Sequence, residues 1–98
     1  MARRLTWSDS AIEDIEELAT TLDRYSSAYS EAVVRALRKQ ADILPLFPLY
    51  GRIVPEWDDP AFREIIVLGR YRLIYQVETD SLLIVTVQDV RKVLPKWY

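Results

Sequence analysis

Apolar residues recur with one period before Gly51 and with another after it. Ala11, Ile12, Ile15, Leu18, Ala19 and Leu22 fall three or four apart, with Glu13, Asp14, Glu16 and Glu17 turned away, which predicts an amphipathic helix with an acidic outer face. Ser26-Ser27 breaks and re-caps the chain. Tyr29, Val33, Ala36, Leu37, Gln40 and Leu44 then repeat the pattern over a second helix, which Pro45 and Pro48 stop. Ahead of both, Arg3 to Trp7 alternates like a short strand, and Ser8-Asp9-Ser10 supplies the helix cap.

Beyond Gly51 the period is that of strands: Arg52-Ile53-Val54, Phe62 to Leu68, Tyr71 to Val77, and Leu82 to Val90. Gly69-Arg70 and Thr79-Asp80-Ser81 are turn sequences between them. A helix hairpin has an apolar stripe that needs a second layer, and the strands provide one. The expected fold is therefore α+β over a single domain, residues 1–98: an N-terminal strand, an antiparallel helix hairpin, then a C-terminal antiparallel β-meander packed on the helices.

A two-residue loop at Gly69-Arg70 fixes the parity of the strands it joins. One face then carries Ile66, Leu68, Tyr71, Leu73, Tyr75 and Val77. The other carries Arg63, Ile65, Val67, Arg72, Ile74 and Gln76, continued by Leu83, Val85, Val87 and Asp89 if Val77 pairs with Leu82. Both faces are largely apolar and one helix hairpin covers only one of them. The second is expected either to meet a partner, through Ile65, Val67, Ile74, Leu83 and Val85, or to be covered by the tail Leu94-Pro95-Lys96-Trp97-Tyr98. Trp57 and Trp97 likewise read as interface anchors or as caps of the core, whereas Trp7 reads as core. Arg35, Arg38 and Lys39 read as a solvated helix face.

Composition narrows the chemistry. Ninety-eight residues, half of them hydrophobic, suffice for one core and not for two. With no cysteine and no histidine, disulfides, thiolate chemistry, imidazole general bases and the usual zinc ligands are excluded, so neither a metal nor another cofactor is expected. No apolar run reaches bilayer length and Met1 to Trp7 lacks the core of a signal peptide, so the expected location is the cytoplasm, with no membrane contact. A formal net charge of −2 argues against nonspecific phosphate binding while leaving room for a local basic patch.

Trp7-Ser8 leading into Ala11 and Ile15, Leu44 with Pro48 and Gly51-Arg52, Val54-Pro55-Glu56, Arg63-Glu64, Tyr71-Arg72-Leu73-Ile74-Tyr75 and Val87-x-x-x-Arg91-Lys92 follow one another in an order that resembles the RelE/ParE toxins of type II toxin–antitoxin systems. That resemblance implies a compact toxin neutralised by a cognate antitoxin, which contacts operator DNA on the pair's behalf. Its target would be DNA gyrase, as for ParE-like members, or mRNA on the ribosome, as for RelE-like members; a non-toxic antitoxin-binding module is the third possibility. A ribonuclease needs proton donors, acceptors and cations around a phosphorane. The residues on offer are Arg52, Glu56, Arg63, Arg72, Arg91 and Tyr98, yet Glu56 stands beside Asp58 and Asp59. Many family members have a histidine where this chain has Asp89, which reads as the ion-pair partner of Arg91. The gyrase reading is favoured, with Arg63, Arg72, Arg91 and Trp97 as target contacts.

Overall fold

The computed structural model describes residues 3–94. Strand β1 (Arg4–Trp7) runs into helix α1 (Asp9–Asp23), followed by α2 (Ser27–Ile43) and strands β2 (Arg52–Ile53), β3 (Phe62–Val67), β4 (Tyr71–Val77) and β5 (Ser81–Asp89). The strands form one sheet in the order β1-β5-β4-β3-β2. The four later strands are an antiparallel meander, as expected. β1 adds to it in parallel beside β5, aligning Arg4 with Ser81 and Trp7 with Ile84.

Both helices start where the sequence supplies a cap. The Ser8 hydroxyl accepts from the Ala11 N–H and donates to the Val85 carbonyl 2.7 Å away, tying the start of α1 to β5. Ser26 does the same local work for α2, accepting from Tyr29 N–H. The helices bury Ala11, Ile15, Val33, Leu37, Ala41 and Leu44 against Ile65, Val67, Tyr71, Leu73, Tyr75, Leu82, Ile84 and Val87 of the sheet. Trp7 packs against this core from its margin. Past the end of β1 the edge of β5 has no neighbouring strand, and Asp14 of α1 covers it, accepting from Val87 N–H at 3.0 Å and from the Thr86 hydroxyl.

Two features overturn the expected face assignments. Val67, not Leu68, stands opposite Tyr71, so the β3–β4 loop has three residues. Leu68 and Gly69 both adopt left-handed backbone, at φ 56° and 65°, which lets a three-residue loop close the hairpin. This shifts β3 by one position: Arg63, Ile65 and Val67 face the helices, and Phe62, Glu64 and Ile66 take the opposite side. Arg63 and Arg72 therefore do not share a face. The second turn pairs Val77 with Leu82 as expected, but a bulge follows, with Tyr75 opposite Ile84 and Ile74 opposite Thr86. Val85 is the extra residue, so Leu83 and Val85 stay with Ile74 whereas Val87 crosses to the helix side.

The second face has its own small core. Val54, Trp57, Phe62, Ile74, Val85 and Leu94 bury one another there, with Leu83 and Ala61 alongside. Trp57 meets Phe62 edge-on, with ring centroids 5.3 Å apart and planes at 85°. The segment between β2 and β3 thus covers much of the face left over by the helices. Trp57 is a core residue, and Leu94 joins it from the C-terminal side.

Candidate partner-binding surface

The arginines of the sheet are held by carboxylates. Glu64, with a fully buried side chain, takes Arg52 Nε at 2.8 Å on one oxygen and Arg72 Nε at 2.9 Å on the other, and Arg72 Nη2 also donates to it. Arg72 in turn grips Glu56 through both terminal nitrogens, at 2.6 and 2.9 Å. A carboxylate and a guanidinium removed from water each need compensation, and this chain of four charges provides it from both sides. The Arg72 hydrogen bonds hold the Glu56 carboxyl at about 2, well below its ordinary 4.5. The same Glu56 bonds raise the Arg72 guanidinium further above its ordinary range. Glu56 is thus an ion-pair anchor, fixing the loop that carries Trp57 to the sheet.

A second cluster closes the far end of β5. Asp89 accepts from Arg91 at three nitrogens, the backbone N at 2.8 Å, Nε at 3.0 Å and Nη2 at 2.9 Å, and from Arg70 Nε at 3.3 Å. These bonds, chiefly the side-chain ones from Arg91, pull the Asp89 carboxyl below its usual range. The predicted Asp89–Arg91 pair is present. Arg91 remains largely open to solvent, at 70% side-chain exposure.

The third cluster supports an apolar shoulder. Tyr75, entirely buried, accepts from Gly51 N–H at 2.8 Å and donates to the Pro48 carbonyl at 2.8 Å. Arg63 Nη1 donates to the Gly51 carbonyl at 3.0 Å, and its buried Nε has no partner among the described residues. A Cβ on Gly51 would lie 2.6 Å from the Glu64 carbonyl oxygen and 2.8 Å from the Tyr75 hydroxyl, so only glycine fits. Burial raises the Tyr75 phenol above its ordinary value. The segment held in this way turns its large side chains outward: Leu46, Phe47, Leu49 and Tyr50 are each more than 60% exposed. So many exposed apolar groups in one short, internally braced segment mark an interaction surface.

Of the residues singled out from sequence, Arg52, Arg72 and Glu56 meet in one network, while Arg63 and Arg91 lie in two other clusters. Ile65 and Val67 are buried beneath the helices, so the expectation that they line an open face is corrected. Ile74, Leu83 and Val85 are on the opposite face as expected, with Ile74 and Val85 fully buried under Trp57 and its neighbours. Trp97 and Tyr98 lie outside the described residues. Sequence reasoning missed Glu64 as the shared acceptor, Tyr75 as the brace and the shoulder itself. The run Pro45-Leu46-Phe47-Pro48-Leu49-Tyr50 was a usable signal, since two prolines among large apolar residues cannot continue a helix that would bury them. Among the described residues no group of acidic side chains is placed to hold a metal ion, and no helix is long and apolar enough to cross a membrane.

A strand, a helix hairpin and a sheet with this order define the RelE/ParE-like fold, and the solved structures agree. The chain superposes on a chain of the chromosomal ParDE system from P. aeruginosa with a TM-score of 0.78 at 15% identity, covering 92% of this chain and 98% of that one. It also matches a chain of the archaeal RelE–RelB complex from Pyrococcus horikoshii OT3 (TM-score 0.63, 17% identity, 95% and 100% covered). A conserved hypothetical protein from Helicobacter pylori matches with a TM-score of 0.58 at 21% identity, over 92% and 96% of the two chains. No curated protein matches the sequence. The family model for the ParE toxin of the type II toxin–antitoxin system parDE matches residues 5–94, and the chain belongs to that family. It is a toxin-type chain whose family works in pairs with antitoxins.

Proposed function

We propose that this chain acts in the cytoplasm by binding DNA gyrase and arresting it, and that its cognate antitoxin, which alone contacts operator DNA, relieves the block. The observation that carries this reading is the state of the arginines. Cleavage of RNA requires cations free to stabilise a phosphorane and groups that exchange protons near neutral pH. Here Arg52 and Arg72 are committed to Glu64 and Glu56, Arg91 to Asp89, and Arg63 to the Gly51 carbonyl. Glu56, held at about 2, is a poor base at pH 7.

In this reading Arg91, and Trp97 beyond it in the sequence, contact the target directly, while Arg63 and Arg72 hold the shape of the sheet and its loops. Purified chain added to gyrase in supercoiling and cleavage assays should block supercoiling, and gyrase that runs unchanged overturns the proposal. Rapid loss of mRNA on expression would favour the ribosome-dependent nuclease, and normal growth a non-toxic antitoxin-binding module. Arg91→Ala should lose gyrase inhibition yet keep antitoxin binding.

A further inference from the structure

The shoulder between α2 and β2 combines projecting apolar groups with a hollow beside them. Its backbone is wound into successive turns, with the N–H groups of Leu46, Phe47 and Tyr50 bonding the Ile43, Leu44 and Phe47 carbonyls at 3.2, 3.0 and 3.0 Å. Pro45 and Pro48 fix two further backbone angles, and Tyr75 of β4 holds Pro48 and Gly51. The outward side chains are therefore placed before any partner arrives, which lowers the entropy that binding must remove. Leu46, Phe47, Leu49 and Tyr50 together present on the order of 500 Å² of apolar surface. Next to them lies a cleft of about 380 Å³, lined by Gln40, Tyr50, Gly51, Arg52, Glu64 and Ile66, among others. Ile66, 45% exposed, carries the apolar surface on into it. The charged residues of that lining, Arg52 and Glu64, are paired with each other at 2.7 Å.

We infer that the occupant of this surface is a second copy of the chain, in a two-fold dimer in which Phe47 of each copy enters the cleft of the other between Tyr50 and Ile66. One patch carries both the projecting ring and the hollow, so the same contact is made twice and the assembly closes at two. Area fits a reversible pair. Two shoulders bury about 1,000 Å² between them, the lower bound for a specific interface, so the dimer is weak and forms as concentration rises. Charge points the same way. A partner recognised by charge finds no free ion on the cleft lining, whereas a second copy meets it without like charges opposed. A net charge of −2 on each chain adds little repulsion. The inference goes beyond the gyrase reading and stands or falls without it.

The test is sedimentation equilibrium of the chain alone over about 1–300 µM, where a monomer–dimer equilibrium with Kd on the order of 10–100 µM is expected. Phe47→Glu removes the projecting ring and Tyr50→Ala removes a wall of the cleft; both side chains are exposed, so circular dichroism should not change. Each should raise Kd by about tenfold or more. Tyr25→Glu is the control, since Tyr25 is 83% exposed but stands at the opposite end of α2, about 25 Å away, and it should dimerise like the wild type. A dimer that Tyr25→Glu loosens as much as Phe47→Glu overturns the inference, as does one that folded shoulder variants leave intact. Tyr50→Ala judges it if Phe47→Glu misfolds. Oligomers that keep growing with concentration overturn the closed two-fold arrangement. A wild-type chain that stays monomeric throughout also overturns it, and loss of antitoxin binding or of gyrase inhibition in Phe47→Glu would then name the occupant instead.

Discussion

Glu64 is the residue on which the charged side of the sheet depends. Its carboxylate is fully buried and is satisfied by Arg52 and Arg72, so Arg72→Met leaves a charge in the interior with half its compensation gone. Breaking a buried pair in this way costs about 3–5 kcal/mol, which urea denaturation of the variant should register. Glu56 is a different case, since its side chain is 43% exposed and water screens it. Glu56→Gln should cost under about 1 kcal/mol at pH 7. Its effect is clearer against pH. The Glu56 carboxyl sits at about 2 in the folded chain against 4.5 ordinarily, so folding prefers the ionised form. The stabilisation is fully present above about pH 4.5 and is lost as pH falls towards 2. Thermal melts across that window should fall less steeply for Glu56→Gln than for the wild type. An equal fall would remove Glu56 as the source, leaving other depressed carboxyls such as Asp89.

At the scale of elements, much was legible and the errors have local causes. Both caps, both helices, the proline stop and all four late strands follow from residue spacing and turn chemistry. The face assignments did not follow, because parity depends on single-residue events. Gly69-Arg70 reads as a two-residue loop, but Leu68 also takes left-handed backbone, which a leucine rarely does, and the hairpin gains a residue. The bulge at Val85 leaves no mark in a run where every residue is β-prone. The brace under the shoulder was equally hidden, since it joins Tyr75 of β4 to a segment 24 to 27 residues earlier. It can now be tested as a unit. Tyr75→Phe leaves the Gly51 N–H and Pro48 carbonyl without their partner, at a cost of about 1–3 kcal/mol. Amide exchange should accelerate at Gly51 and its neighbours and stay unchanged in α1. Uniform acceleration would mean that the hydroxyl serves global stability and not the shoulder.

For the molecule as a whole, the separation of apolar from charged surface sets how it should respond to salt. The net charge is −2, and the sheet arginines that suggested a phosphate site are tied to carboxylates of the same chain. Leu46, Phe47, Leu49 and Tyr50, in contrast, are open to solvent and held by a buried frame. Binding that depends on such a surface draws mainly on apolar burial, which is nearly indifferent to ionic strength. A protein engaging six to ten phosphates behaves otherwise, losing about 10³–10⁵ in affinity between about 50 and 200 mM salt. The affinity of this chain for a partner docked on that surface should change by less than about tenfold over that range, a bound set by contrast with the phosphate case. A slope as steep as that of nucleic-acid binding would mean that the paired arginines release their carboxylates on the target. In that event the Glu56–Arg72–Glu64 network would be a store of cations for RNA, and the nuclease reading would replace the one proposed here.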